Sequence, residues 1–142
     1  MRRILGLDIG DKRIGVSVSD ELGITAQGLE NIHRESDDQA IKEICNLVNQ
    51  LHIEEVIVGM PKNMNGTLGP QAEKVMKFSK AIASSVRIPI KHWDERLTTV
   101  IAQRSLTALN VKGRKKKKKV DRIASQLILQ GYLDNKSLKS KQ

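Results

Sequence analysis

Two β-rich runs, Arg3 to Ile9 and Arg13 to Ser19, stand three residues apart, and the spacer between them is Gly10-Asp11-Lys12. A short turn-forming spacer of this kind closes an antiparallel hairpin with tight pairing. Asp8 then sits at the end of the first strand. Ile24 to His33 reads as a third strand, interrupted by Gly28. Downstream the pattern becomes an alternation of helix and strand. Ser36 is an N-cap for a helix from about Asp37 to Leu51, in which Ile41, Ile44, Leu47, Val48 and Leu51 follow the 3.6-residue period. Glu55 to Gly59 is a short β-branched run ended by glycine, the pattern of a buried parallel strand.

Pro70 is placed to open the next helix at its first position, with Ala72, Val75, Met76, Ser79, Ile82 and Ala83 on one side. Arg87 to Trp93 reads as the last strand and delivers Asp94 and Glu95 at its end. Thr98 or Thr99 caps a helix to about Leu109. The final helix, about Val120 to Leu133, has Val120, Ile123, Ala124, Leu127 and Ile128 at i, i+3, i+4, i+7 and i+8, the strongest periodic signal in the chain. The expected fold is therefore α/β, with a mixed five-stranded sheet that begins as an antiparallel hairpin and carries helices on both faces. At 142 residues the chain is expected to form one domain over residues 1–134. Residues 112–119 are expected as a flexible basic loop and 135–142 as a mobile Lys-rich tail.

Charge is distributed unevenly. Residues 1–111 hold 14 basic and 14 acidic side chains, whereas residues 112–142 hold 11 basic and 2 acidic. Such a concentrated positive segment calls for a polyanionic partner, nucleic acid or an anionic membrane surface. The single cysteine, Cys45, can form no internal disulfide, which fits a reducing, cytoplasmic compartment. Asp8 cuts the apolar start of the chain well short of the roughly 7 to 15 residues of a signal-peptide core. No run approaches the ~18 apolar residues of a spanning helix, so no membrane partner is expected. With Phe78, Trp93 and Tyr132 as the only aromatic residues, the chain lacks the stacking platforms of single-strand binders.

Three acids can meet. The functional crevice of an open α/β sheet lies beyond the carboxyl ends of its parallel strands; Asp8 ends the first strand and Glu95 follows the last. Asp121 lies on the border of the final helix's apolar face, next to Ala124 and Ile128 at 100° per residue. Three carboxylates brought together repel unless a cation compensates. All-oxygen sites suit Mg²⁺ or Mn²⁺, and two such ions about 4 Å apart can activate water and stabilise a leaving oxygen in phosphodiester cleavage. Together with the basic segment directly before Asp121, this pattern points to a metal-dependent nuclease. Each acid also has an ordinary structural reading: Asp8 as the end of a strand in a turn, Asp94-Glu95 and Asp121 as helix-start acids favoured by the dipole.

Other features carry less. The loop Gly59 to Gly69 ahead of a helix can hold a phosphate on backbone N–H groups with Lys62 adding charge, or serve only as an ordered connection; Gly-Lys-Ser/Thr is missing, so it is no Walker A loop. His33, His52 and His92 have no metal-ligand spacing, and Cys45 falls in the apolar rows of its helix. Lys112 and Arg114 to Lys119 put seven basic residues in eight positions and give strongly salt-dependent phosphate affinity.

Leu7-Asp8-Ile9-Gly10-Asp11-Lys12-Arg13-Ile14-Gly15-Val16, then Val58-Gly59-Met60-Pro61 with Gly66 and Gly69, then Asp94-Glu95-Arg96-Leu97-Thr98-Thr99, then Val120-Asp121 with Ala124 and Leu129, closely resemble the YqgF (RuvX) family over residues 3 to 133 and in the family's order. The resemblance implies an RNase H-like fold, a bacterial cytoplasmic location and a nuclease that matures the 5′ end of pre-16S rRNA. It implies an acidic, metal-binding and catalytic site on Asp8, Glu95 and Asp121, with Mg²⁺ or Mn²⁺ as cofactor. The strand ending Val58-Gly59 offers no acid where many RNase H-like relatives place a metal ligand. Lys12, Arg13, Lys62, Arg96, Lys112, Arg114, Lys115, Lys116, Lys117, Lys118 and Lys119 are the candidate phosphate contacts.

Three other functions compete with processing of structured pre-rRNA. A Holliday junction resolvase would act on branched DNA with the same metal chemistry and needs two active sites, so monomer and homodimer lead to different functions. A non-catalytic RNA-binding assembly factor would use the lysines alone. Asp8-Ile9-Gly10 also resembles the first phosphate motif of actin-like and sugar-kinase ATPases, but that fold closes two such domains around ATP and 142 residues supply one.

Overall fold

A computed structural model describes the backbone of residues 3–61, 65–94 and 113–140, with the side chains of 123–136 described in the last stretch. The hairpin forms as expected: β1 (Arg3–Ile9) and β2 (Arg13–Ser19) pair antiparallel, with Leu7 opposite Val16 and Asp8 opposite Gly15. β3 (Ala26–His33) pairs antiparallel with β2. It begins two residues later than the sequence suggests, because Ile24 and Thr25 are taken by a turn: their N–H groups donate to the Asp20 carboxylate at 2.7 and 3.2 Å. Gly23 supplies the left-handed residue there, at φ 71°. β4 (Ile53–Met60) lies parallel to β1, and β5 (Ile90–Asp94) parallel to β4. The order across the sheet is β3-β2-β1-β4-β5. β5 begins only after Pro89, which has no N–H to give a ladder; its carbonyl accepts from Val56 N–H at 3.0 Å instead.

α1 (Asp37–Gln50) starts on a complete capping box, Ser36 with Gln39. α2 (Pro70–Ser85) has Pro70 in its first turn. Strand alternation divides the sheet's two faces. Leu5, Leu7, Ile9, Val56, Val58 and Met60 point to the side where Ala40, Ile44 and Val48 of α1 and Ala72, Val75, Phe78 and Ile82 of α2 complete the larger core. On α2 the buried stripe uses Phe78 rather than Met76 and Ala83, both of which are exposed. Phe78 lies three residues from Val75 and four from Ile82, on the same face of the helix, and its large ring fills that face.

α3 (Gly113–Ser140) covers the opposite face. Ile128, Leu129 and Leu133 pack there on Ile4 and Ile57, each such burial contributing roughly 1.5–3 kcal/mol. Helix replaces the loop expected over 112–119 from residue 113 onward, and it replaces the mobile tail through residue 140; Lys112 and residues 141–142 lie outside the described residues. Lys and Arg are good helix formers, no proline follows Gly113, and like-charge neighbours at i, i+4 cost only about 0.2–0.5 kcal/mol per pair. A continuous basic run is thus compatible with extending a helix that packing already holds. The helix expected from Thr98 or Thr99 to Leu109 lies outside the described residues.

Polar contacts also seat α3. Ser125 Oγ donates to the Gly6 carbonyl at 3.0 Å, and Ser17 Oγ donates to the Ser125 carbonyl at 2.9 Å. A Cβ on Gly6 would lie 2.5 Å from Ser17 Oγ and 2.9 Å from Leu129 Cβ, so only glycine allows this approach. At the other end the buried Glu55 carboxylate meets Lys91 at 3.3 Å and Lys136 at 3.7 Å, and Lys91 Nζ donates to Tyr132 Oη at 3.2 Å. Among the described residues no helix is long and apolar enough to cross a membrane.

Candidate active site

β1, β4 and β5 are mutually parallel, so their carboxyl ends, Ile9, Met60 and Asp94, open on one edge. Asp8 stands at that edge, half-buried, and alternation sends it to the face under α3, with Ile4 and Gly6. Its neighbour across the hairpin is Gly15. On the other side Leu7 is level with Val58, so the next row sets Asp8 beside Gly59. In-register neighbours of a sheet share a face. Asp8 is therefore a carboxylate flanked on both sides by residues without side chains. Neither neighbour in its row brings a side chain against the carboxylate.

Asp94 does not join it. Val58 is level with His92 and Gly59 with Trp93, and Trp93 packs on the α3 face with Tyr132 and Leu133. Alternation turns Asp94 to the opposite face. Glu95, Arg96 and Lys62 lie outside the described residues, and among the described residues no three His, Cys, Asp or Glu side chains converge as a metal cluster.

The direction of α3 bears on the third acid. Ser125 sits over Gly6, whereas Gln130 bonds the backbone at both Ile24 and Ala26, further toward the amino end of β1. α3 thus runs antiparallel to β1. Four residues before Ser125 comes Asp121, about 6 Å along the helix at 1.5 Å per residue. Two residues beyond Gly6 comes Asp8, about 6.6 Å along the strand. The side chain of Asp121 itself lies outside the described residues, as do those of Arg114, Lys115, Lys116, Lys117, Lys118 and Lys119. Their helical backbone continues past residue 121 by up to about 10 Å at the same rise, beyond the row of Asp8.

Lys12 is exposed in the β1–β2 turn and Arg13 half-buried at the start of β2, so both belong to the same edge. Sequence reasoning missed a third cation. Arg34, just after β3, donates from Nη1 to the Gly10 carbonyl at 2.6 Å and from Nη2 to Asp37 at 2.8 Å. No periodicity or motif marks it; only the pairing of β2 with β3 brings it to the turn. Cys45, expected in the core, is half-buried. His33 and His52 are exposed, as their lack of ligand spacing implied.

Comparison with known proteins gives this arrangement a context. A family model described as "RuvX: Holliday junction resolvase" matches residues 2–135. The chain is 53% identical over 132 residues to a protein of Clostridium kluyveri named "Putative pre-16S rRNA nuclease", covering 93% of this chain and 96% of the relative. It is 51% identical over 133 residues to one of the same name from Clostridium novyi, covering 94% and 98%. Among solved structures, RuvC of T. thermophilus in complex with its Holliday junction substrate superposes with a TM-score of 0.56 at 14% identity, over 96% of each chain. The fowlpox virus Holliday junction resolvase gives 0.57 at 13%, over 94% of this chain and 99% of that one. At such identities these likenesses concern the fold, and they bear out an RNase H-like, mixed five-stranded sheet with helices on both faces.

Proposed function

Because this chain belongs to the RuvX family, we propose that it is a nuclease that hydrolyses phosphodiester bonds of precursor 16S rRNA, using Mg²⁺ or Mn²⁺ held by Asp8, Glu95 and Asp121. One observation carries the reading: a half-buried carboxylate stands at the carboxyl edge between two glycines, under a helix whose direction leads Asp121 toward it. The donors are hard carboxylate oxygens, the chemistry that suits these ions. With Asp94 turned to the other face, Glu95, the residue that follows β5 in the sequence, is the neighbouring acid that remains. When bound, such ions supply activation of the attacking water and neutralisation of charge at the phosphate.

The chain's own groups bind and orient. Asp8 fixes its position through β1, which is hydrogen-bonded on both sides, by β2 and by β4. Lys12 and Arg13 on the same edge steady the scissile phosphate. Lys112 and Arg114 to Lys119, with Lys62 and Arg96, hold the flanking backbone by charge. The single cysteine agrees with a cytoplasmic setting.

The fold's likeness to junction resolvases favours a second reading, cleavage of branched DNA by a symmetric dimer with two such sites. The deciding experiment compares cleavage of precursor rRNA with cleavage of a four-way junction, in Mn²⁺ and in chelator, for the wild type and Asp8→Asn. Metal-dependent cutting of the rRNA precursor, lost in Asp8→Asn while RNA affinity persists, is expected. Preferential cutting of the junction transfers the function to DNA. A variant that cuts as fast as the wild type removes Asp8 from the chemistry and leaves an RNA-binding assembly factor.

A further inference from the structure

We propose that Arg34 is a positioning residue for the acidic edge, acting through the β1–β2 turn; the inference rests on the reading that Asp8 holds a divalent ion. Residues 10–12 are all that separates the strand bearing Asp8 from the strand bearing Arg13. The turn is too tight for a side chain at its first position: a Cβ on Gly10 would lie 2.7 Å from the Arg13 carbonyl. Gly10 N–H donates to that carbonyl at 2.9 Å. Two of the turn's three carbonyls, those of Gly10 and Lys12, accept from one residue. Arg34 N–H donates to the Lys12 carbonyl at 2.9 Å, and Arg34 Nη1 donates to the Gly10 carbonyl at 2.6 Å.

Arg34 is in turn held from two helices. Its guanidinium lies 4.4 Å from the centroid of the Phe78 ring on α2, and Nη2 reaches Asp37 in the first turn of α1. The side chain is 16% exposed. This is a use for which lysine is no substitute, because a planar fork can stack on a ring and donate in two directions at once. The grip begins two residues from Asp8 and includes Lys12. A turn held at its first and last carbonyls fixes where β1 ends, and with it the carboxylate and the cation on either side of the turn. Lys74 on α2 meets Asp11 of the same turn at 3.6 Å, from an exposed position that adds little restraint.

The test measures Mn²⁺ binding to the full chain by electron paramagnetic resonance at 20 °C, where circular dichroism verifies folding, beside kcat and KM on precursor rRNA. Arg34→Gln is expected to weaken Mn²⁺ binding about tenfold, the effect typical of removing an outer-shell partner, and to lower kcat with KM for RNA unchanged. A residue that merely stabilised the fold would lower the melting temperature and leave both values alone in the folded chain. Arg34→Lys keeps the charge and most of the packing, so it answers the question if Arg34→Gln does not fold; an affinity below that of the wild type is expected. Wild-type Mn²⁺ affinity and kcat in a folded Arg34 variant overturn the proposal. Asp8→Asn, run in parallel, separates the two claims. If it loses Mn²⁺ binding while Arg34 variants keep it, only the positioning role fails; if Asp8→Asn itself binds Mn²⁺ as the wild type does, the metal reading fails with it.

Discussion

Substituting Gly6 by alanine tests whether the seat of α3 sets the geometry of the edge. The new Cβ would meet Leu129 Cβ at 2.9 Å, whereas carbon atoms pack at about 3.5–4.0 Å, so the helix must lift by roughly 0.6–1 Å. It would also meet Ser17 Oγ at 2.5 Å and force that hydroxyl out of its bond to the Ser125 carbonyl and away from Ser125 Oγ. Overpacking costs about 1–3 kcal/mol, and a buried polar group left without its partner about 1–3 kcal/mol more. Gly6→Ala is therefore expected to lose about 2–6 kcal/mol in urea unfolding, a large part of a domain's typical reserve of about 5–15 kcal/mol. Under conditions where the variant remains folded, cleavage should fall by at least about tenfold, since displacements near 1 Å can cost up to about a hundredfold. Stability within about 0.5 kcal/mol of the wild type, the range of an ordinary surface change, would refute the packing argument. Lost stability with undiminished cleavage would refute its link to the site.

The Lys91 pKa is raised, first by its hydrogen bond with Tyr132 and then by Glu55, and the Tyr132 hydroxyl is raised by burial and by Glu55. A raised folded-state pKa contributes stability that is complete below the ordinary value of the group and lost as pH rises through the raised one. The wild type should thus lose stability above about pH 10, and Lys91→Gln should start lower and show a shallower loss in denaturant titrations. Ser36→Ala removes the capping box of α1 and should cost about 1 kcal/mol by urea unfolding. Neutralising three of the lysines in 115–119 should flatten the dependence of log affinity for double-stranded RNA on log salt by up to about 3; an unchanged slope would show that the run makes no phosphate contact.

The parts of this fold that were legible in the sequence are those set locally. The three-residue spacer announces the β1–β2 hairpin, Ser36 and the apolar period from Ile41 to Leu51 announce α1, and the apolar spacing from Ile123 to Ile128 announces α3. Features that depend on pairing between distant segments were not legible. Nothing near Asp8 in sequence says that Gly15 and Gly59 flank it, because that requires the register of β1 with β2 and with β4. Asp94 and Glu95 look equivalent until alternation along β5 turns Asp94 to the other face. Arg34 is an ordinary charge after a strand until β3 pairs with β2 and Phe78 supplies a ring. The basic run reads as a loop because charge repulsion is conspicuous in sequence, whereas the packing of Ile128, Leu129 and Leu133 that carries the helix lies up to five turns away.

The most direct measurement is Mn²⁺ titration of the metal-free wild type and of the single variants Asp8→Asn, Glu95→Gln and Asp121→Asn, counting bound ions at equilibrium. Binding by the wild type and loss of affinity in each variant are expected, since the three carboxylates are proposed to form one site. Binding that survives intact in any one of the three, or that the wild type never shows, would contradict that proposal.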